Sequence, residues 1–121
     1  MMSTRETARS PEQLTELFIQ RANAGDVEGL VALYEPEAML AAGKPVAQGH
    51  EEIRAFFRNL LEKKSDFPRP EIMPPLINGD TALTVALQGN GNISTEIARR
   101  QPDGSWRWLV DQLKIKPLSK D

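Results

Sequence analysis

The stretch NAGDVEGLVALY, residues 23–34, decides how the first half of the chain folds. Gly25 suits the left-handed conformation at which many helices end. Asp26 follows at once and can cap a new helix by accepting a hydrogen bond from its first turn. The stretch therefore predicts a helix that ends at Gly25 and a second, apolar helix that runs to Tyr34 and is stopped by Pro36.

Two more helices are predicted on either side of this junction. Ser10 can cap the first of them, with Pro11 at its first position, and apolar residues then recur at helical spacing. The third helix is expected from about His50 to Lys64. Its acidic residues lie at the start and its lysines at the end, as the helix dipole favours.

The second half of the chain shows the patterns of strands. Four prolines between residues 68 and 75 exclude a helix there and allow an edge strand at most. Residues 82–87 alternate as a half-buried strand does, and residues 93–100 and 106–116 predict two further strands joined by a Pro-Asp-Gly turn. Three helices followed by antiparallel strands indicate an α+β fold.

Length and composition describe an ordinary globular domain. The chain has 121 residues and a formal net charge of -2, and its basic residues are scattered, so no nucleic-acid partner is predicted. With no cysteine and one histidine, neither a cofactor nor a metal site is expected. No apolar run approaches the roughly 18 residues of a membrane span, and no signal segment is visible, so a cytoplasmic protein is expected. We expect a tail over residues 1–9, one domain over 10–117 and a second tail over 118–121.

The order of these elements carries a family resemblance. The Ala-Gly-Asp junction, a Gly-x-Glu-x-Ile helix start at Gly49 and the Arg-Arg-x-x-Asp-Gly-x-Trp hairpin over residues 99–106 occur in the expected succession. Residues 11–116 resemble the NTF2-like, SnoaL-like (cystatin-like) superfamily near ketosteroid isomerase. The resemblance implies a cone in which a strongly bent antiparallel sheet and three helices enclose an apolar pocket. It also implies a homodimer formed through the sheet.

The resemblance does not extend to the chemistry of ketosteroid isomerase. The Tyr that donates to the oxyanion in that enzyme is matched here by Phe18, and its general-base Asp by Ala41 or Ala42. The acid on a late strand is matched by Glu96. Of the supporting tyrosines, Tyr34 is present and the one on the third helix is replaced by Phe57. Without the base and the main donor, that reaction is not expected.

Glu96 and Asp111 are the candidate catalytic residues. Each lies in the middle of a predicted strand, where a carboxyl group that faced an apolar pocket would have a raised pKa and suit acid–base catalysis. The alternative for each is a structural or surface acid held by arginine or backbone groups. If the hairpin loop has four residues, Glu96 shares a face with Leu109 and Asp111. If it has three, Glu96 shares a face with Trp108 and Val110.

Other candidates have simpler interpretations. Tyr34 is more typical of a core residue with a satisfied hydroxyl group than of a ligand contact. Trp106 and Trp108 are more typical of packing than of stacking on a ligand. His50 is expected near a helix start without a catalytic role. The arginines at 99, 100 and 107 are expected to form a solvated strand edge.

The resemblance further implies which residues form the wall of the pocket. The expected lining is apolar and favours a small hydrophobic molecule; it consists of Phe18, Tyr34, Phe57, Leu83, Val85, Leu87, Leu109 and Leu113. The leading hypothesis is a cofactor-independent isomerase, hydrolase or cyclase that uses Glu96 and Asp111. The alternative is a non-catalytic ligand-binding or assembly domain, and a transport adaptor is a third, weaker hypothesis.

Overall fold

The computed structural model describes residues 5–43 and 45–115 of the chain. Three helices lie on one face of a curved seven-stranded sheet, where the first and third pack against the strands and the second packs against the other two helices, so the fold is α+β as predicted. The helices are α1 (Pro11–Asn23), α2 (Val27–Val31) and α3 (Gly49–Lys63). The strands are β1 (Tyr34–Ala41), β2 (Ala47–Gln48), β3 (Glu71–Ile72), β4 (Leu76–Asn78), β5 (Thr81–Leu87), β6 (Ile93–Arg100) and β7 (Trp106–Ile115).

The junction between the first two helices forms as its sequence predicts. Ser10 caps α1, with its hydroxyl oxygen accepting from the backbone N–H of Gln13 at 3.2 Å. Gly25 has φ of 70°, the left-handed conformation that glycine adopts without strain. Asp26 caps α2 by accepting from the N–H of Gly29 at 3.0 Å. Local capping signals therefore fix this part of the fold.

The predicted length of the second helix is wrong. Helix α2 ends at Val31, and Tyr34 begins strand β1 instead of ending a helix. Strand β1 pairs in parallel with β7, and the N–H of Trp108 donates to the carbonyl oxygen of Leu33 at 2.8 Å. Pro36 is accommodated because the β1–β7 pairing is irregular just after Tyr34. Pairing with a strand distant in sequence thus overrides the helical pattern.

The segment before α1 is not the loose tail that was expected, as far as residues 5–9 are concerned. Ala8 is buried, and its carbonyl oxygen accepts from the N–H of Trp106 at 2.9 Å. Arg5 forms an ion pair with Asp26 at 3.0 Å. Residues 1–4, the domain end at 117 and the tail at 118–121 lie outside the described residues.

The sheet has the order β2-β1-β7-β6-β5-β3, and β4 pairs with the beginning of β5. All its pairings are antiparallel except that of β1 with β7. Strands β3 and β4 lie along the same edge of β5 and are separated by Pro74 and Pro75. The proline-rich segment therefore supplies short edge strands, as its sequence indicates.

The hairpin between β6 and β7 combines a three-residue turn with a bulge. Gln101 donates its N–H to the carbonyl oxygen of Ser105 at 2.6 Å, which leaves residues 102–104 as the loop. The register then shifts by one residue, because Ala98 pairs with Trp108 whereas the preceding Ile97 pairs with Val110. Leu109 is the extra residue of this bulge. As a result Glu96 lies directly opposite Asp111, a pairing that the three-residue loop alone does not give.

Strand β5 faces the opposite way from the prediction. The face toward the helices carries small residues, and the outer face carries the large apolar ones. Leu83 and Leu87 are 41% and 42% exposed on the outer face, and Val85 shares that face. The prediction that these three line the pocket is therefore wrong. The inward-facing residues are Ala82, Thr84, Ala86, Ser94, Glu96 and Ala98.

Candidate functional site

A cavity of about 700 Å³ lies between helices α1 and α3 and the inner face of the sheet. The small residues on that face explain the space, because alanine, serine and threonine leave room that larger side chains would fill. Most of the wall is apolar or aromatic, with contributions from Phe18, Ile19, Phe56, Leu60, Phe67, Ala86, Trp108 and Leu113. A cavity of this size and lining suits a small apolar molecule.

Glu96 and Asp111 both line this cavity. They are directly opposite each other on β6 and β7, so their side chains project side by side from the same face of the sheet. Each side chain is almost fully buried, at 6% and 2% exposed. None of the ion pairs found among residues 5–43 and 45–115 involves either of them. The site therefore brings together two buried carboxyl groups without a cationic partner.

Each carboxyl group accepts a hydrogen bond from the hydroxyl group of a neighbouring residue. The hydroxyl of Thr84, on the neighbouring strand, donates to Glu96 Oε1 at 2.5 Å. The hydroxyl of Tyr34 donates to Asp111 Oδ2 at 2.5 Å. Asp111 Oδ1 has no hydrogen-bond partner within the described part of the chain. The two acids are thus positioned by neutral donors, and one oxygen of Asp111 is left unused.

Burial shifts the titration of both acids in the same direction. Desolvation raises the pKa of Glu96, against the opposing effect of hydrogen bonds from Thr84 and Ser94. Desolvation also raises the pKa of Asp111 well above its usual range, and the nearby charge of Glu96 adds to the increase. Because two adjacent buried carboxylates repel each other, the pair retains a proton at a pH where ordinary carboxyl groups are ionised.

A cluster of aromatic rings fixes Tyr34. Its ring centroid lies 5.2 Å from that of Trp108 and 5.9 Å from that of Phe57. Phe18 contacts the same two neighbours, at 5.8 Å from Trp108 and 5.9 Å from Phe57. Desolvation raises the pKa of Tyr34 well above its usual value, so its hydroxyl remains a donor to Asp111. The hydrophobic core therefore fixes the position of the hydroxyl group that donates to Asp111.

The opposite end of the cavity reaches the protein surface. Its lining there includes the exposed residues Lys64, Asn90 and Lys114, and the half-buried Gln88 and Asn92. Lys64 also lies over the ring of Phe67, with its Nζ 5.0 Å from the ring centroid. The cavity thus runs from a polar, partly cationic mouth to the carboxyl pair at its inner wall.

The remaining predicted pocket residues have different places in the structure. Phe18 and Leu113 line the cavity. Tyr34 and Phe57 are fully buried behind its wall, and Leu109 is half-buried in the bulge of β7. Because Leu83, Val85 and Leu87 lie on the outer face of β5, two of the eight residues predicted to line the cavity do so. Phe18 and Ala42 line the cavity and offer no polar side chain, whereas Ala41, the other position expected to match the base of ketosteroid isomerase, is not part of the lining.

Other candidates are engaged elsewhere. His50 donates from Nε2 to the carbonyl oxygen of Tyr34 at 2.7 Å. Trp106 is buried, with Arg100 5.6 Å from the centroid of its ring. Arg99 makes two hydrogen bonds to Glu35, at 2.8 Å and 2.5 Å. The prediction of a strand edge at Arg99, Arg100 and Arg107 is wrong, because β6 and β7 are interior strands that are paired on both sides. These contacts give structural roles to His50, Trp106, Arg99 and Arg100.

Two polar residues of the site, Thr84 and Ser94, were not recognised in the sequence, and Trp108, for which packing was favoured over a ligand contact, lines the cavity. A signal for the first two was present, because residues that pair directly across antiparallel strands face the same side. If Glu96 faces the pocket, its partner Thr84 must do so too, and Leu83 and Val85 cannot. The face on which Trp108 lies could not be predicted by this rule, because it depends on the bulge at Leu109.

Within the described ranges, no three His, Asp or Glu side chains are grouped as metal ligands. None of the helices described here is long and apolar enough to cross a membrane.

Comparison with known proteins gives the family. A sequence model described as a SnoaL-like domain matches residues 15–113. The chain belongs to the SnoaL-like family. The match begins within α1 and includes every cavity residue discussed above except Lys114. No curated protein sequence matches the chain significantly.

Solved structures share the fold of this SnoaL-like chain at low sequence identity. A protein of unknown function with a cystatin-like fold from Nostoc punctiforme has a TM-score of 0.70 and 20% identity, covering 90% of each chain. A ketosteroid isomerase-like protein from Erwinia carotovora atroseptica has a TM-score of 0.68 and 20% identity, covering 88% of this chain and 94% of its own. A putative calcium/calmodulin-dependent protein kinase type II association domain from Thiobacillus denitrificans has a TM-score of 0.75 and 16% identity, covering 95% of this chain and 100% of its own. These likenesses establish the fold alone.

Proposed function

We propose that this SnoaL-like protein binds a small hydrophobic molecule in the cavity and catalyses a proton transfer on it without a cofactor, as an isomerase, hydrolase or cyclase. The observation that carries the proposal is the side-by-side placement of Glu96 and Asp111 in the wall of an apolar cavity. A structural ion pair would account for buried acids, but the ion pairs of the described residues include neither of them.

The environments of the two acids separate their roles. Asp111 is the more deeply buried of the two, burial and the charge of Glu96 raise its pKa, and it acts as the acid. Desolvation also raises the pKa of Glu96, but hydrogen bonds from Thr84 and Ser94 favour its carboxylate form, and it acts as the base. Paired carboxyl groups whose environments push their pKa values apart supply one proton donor and one acceptor at the same pH.

A simple ketone tests this proposal without knowledge of the natural substrate. We expect the protein to bind 2-acetylnaphthalene, followed through tryptophan fluorescence because Trp108 lines the cavity. In D₂O it should accelerate exchange of the methyl protons beside the carbonyl group, measured by proton NMR. Glu96→Gln should slow this exchange by about a hundredfold, the usual contribution of a general base. Glu62→Gln, on an exposed part of α3, is the matched control.

The stability of the Glu96→Gln variant separates catalysis from folding. A buried carboxylate without a cationic partner costs free energy, so the variant should keep or raise the melting temperature. Equal exchange rates in wild type and Glu96→Gln would contradict the assigned base. Binding without any exchange above the rate in buffer would favour a non-catalytic ligand-binding domain. A clear loss of stability would indicate that Glu96 has a structural role.

The outer face of the sheet supports a second proposal, that two copies of the chain associate through it. Leu83, Ile97 and Val110 are direct neighbours across β5, β6 and β7, and they are 41%, 37% and 38% exposed. An apolar row that crosses three strands is well suited to meet its own copy across a two-fold axis. This proposal also fits the alternative function, an assembly domain.

We expect Ile97→Lys, at the centre of this row, to convert a dimer into a monomer in sedimentation equilibrium. The change would place a charge in the middle of the apolar contact. Asn59→Lys, on the exposed side of α3, adds the same charge elsewhere and should leave the mass unchanged. A wild-type protein with the mass of one chain at all concentrations would contradict the proposal.

A further inference from the structure

Charge is distributed unevenly along the cavity. The acidic residues of its lining are Glu96 and Asp111, which are buried at the inner wall. The basic residues of its lining are Lys64 and Lys114, which are exposed at the mouth. The ion pairs found in residues 5–43 and 45–115 include neither lysine. The cavity therefore has a cationic end that is open to water and an acidic end in the core.

A second bulge in β7 places Lys114 at the mouth. The register of β6 against β7 shifts by one residue between Ile93 and Thr95, so Ser94 lies opposite two residues of β7. These two are Leu113 and Lys114, and both line the cavity. Neighbouring side chains of a regular strand point to opposite faces. The bulge thus brings a lysine to the cavity beside an apolar wall residue.

Lys64 reaches the same cavity from the end of α3. It follows Lys63, the last residue of that helix. Its Nζ lies 5.0 Å from the ring centroid of Phe67, which is part of the cavity wall. A cation above an aromatic face is attracted to it, so this contact holds the ammonium group against the wall.

The turn between β5 and β6 adds neutral donors to the mouth. Its lining residues include Gln88, Asn90 and Asn92, and each has an amide NH₂ group that can donate. Asn90 Oδ1 accepts from the N–H of Asn92 at 2.9 Å, which leaves the NH₂ group of Asn90 to donate elsewhere. Ammonium and amide donors around one opening suit the oxygen atoms of an anion such as a carboxylate.

We infer that the ligand is an apolar molecule with an acidic group at one end, and that this group stays at the mouth beside Lys64 and Lys114. The inference rests on the proposed function, because it needs the apolar part of the ligand in the cavity. The reverse orientation would bring a negative charge to the buried carboxyl pair, where repulsion and desolvation oppose it. The charge distribution therefore selects the ligand class and directs the other end of the ligand toward Glu96 and Asp111.

A matched pair of probes isolates the acidic group. 4-(2-Naphthyl)butanoate and 4-(2-naphthyl)butanamide have nearly the same shape, and only the first carries a charge near pH 8. We expect the wild-type protein to bind the butanoate about fivefold more tightly in isothermal titration calorimetry at low salt, since ion pairs near a surface contribute modestly. In about 0.5 M salt the preference should fall to about twofold or less, because both lysines are exposed.

Substitution of the lysines tests where the charge is recognised. The double variant Lys64→Gln, Lys114→Gln should bind the two probes with about equal affinity. Lys63→Gln is the matched control, because it removes the same charge from an exposed neighbouring residue that is not in the cavity lining, and it should retain the preference. All three positions are exposed, so these substitutions should leave folding unchanged.

The outcomes distinguish this inference from the proposed function. Equal binding of both probes by the wild type would overturn the inference and leave the apolar cavity intact. A preference that survives in the double variant, or that Lys63→Gln abolishes as well, would also overturn it. If 2-acetylnaphthalene binds and neither longer probe does, the inference fails alone. If none of the three binds, the proposed function fails and the inference fails with it.

Discussion

Replacing Phe57 with alanine is expected to lower the free energy of unfolding by about 3–5 kcal/mol, the usual range for removing a buried phenylalanine ring. Phe57 is fully buried and contacts the rings of Phe18, Tyr34 and Phe56, at centroid distances of 5.2 to 5.9 Å. The inner cavity wall rests on this cluster, so the surrounding side chains cannot close the space without moving. Chemical denaturation monitored by circular dichroism measures the loss.

Phe56→Ala is the matched control for this prediction. Phe56 lies next to Phe57 on α3 but is half-buried and faces the existing cavity. Its removal enlarges a space that is already present, and should therefore cost clearly less than removal of Phe57. Equal losses for the two variants would show that Phe57 does not anchor the aromatic cluster. Because Phe57 supports Tyr34, its loss should also loosen the hydrogen bond to Asp111.

Asp111→Asn is expected to make the protein more stable than the wild type at neutral and higher pH. Asparagine has nearly the same shape, can still accept from Tyr34, and never carries the desolvated charge. The gain should be on the order of 1 kcal/mol or more near pH 8, since one pKa unit corresponds to roughly that energy. Thermal or chemical unfolding of both proteins between pH 4 and pH 8 measures it.

The sign of this pH dependence follows from the direction of the pKa shift. The pKa of Asp111 is raised in the folded protein, so the folded state holds a proton that the unfolded state has released. Stability from this group is therefore complete below the unfolded pKa of about 4 and is lost as pH rises through the folded pKa. Wild type and variant should be closest near pH 4 and diverge upward. A constant difference, or one that shrinks as pH rises, would contradict the raised pKa.

Other acids have pKa values that are lowered in the folded protein, and they do not affect the comparison of wild type with Asp111→Asn. Hydrogen bonds from Arg99 lower the pKa of Glu35, and those from Arg5 lower the pKa of Asp26. Their stabilising contributions are lost at low pH, in wild type and variant alike. The difference between the two proteins therefore isolates Asp111 and its neighbour Glu96.

Local sequence signals predicted the helical part of the fold well. The caps at Ser10 and Asp26 and the left-handed Gly25 act through contacts within a few residues, so they can be recognised in the sequence itself. The end of α2 could not be predicted in this way. Residues up to Tyr34 continue a helical pattern, but pairing with β7, more than seventy residues later, draws them into a strand.

The candidate site was predicted in its two acids but not in its surroundings. Glu96 and Asp111 were identified because charged residues inside strands are unusual, and the family resemblance placed Glu96 in the pocket. Whether they meet depended on a one-residue bulge at Leu109, which leaves no distinct mark in the sequence. The faces of β5 were reversed because alternation gives the period of a strand without saying which side is buried.

A carbon-13 NMR titration of the Asp111 carboxyl group, in wild type and in Glu96→Gln, tests the coupled carboxyl pair most directly. The signal is assigned by its loss in Asp111→Asn. We expect a midpoint well above the usual aspartate range in the wild type, because the group is buried and lies beside Glu96. In Glu96→Gln the midpoint should fall, since the neighbouring charge is gone, but remain raised by burial. A midpoint in the usual range that does not respond to Glu96→Gln would contradict a coupled carboxyl pair in the cavity wall.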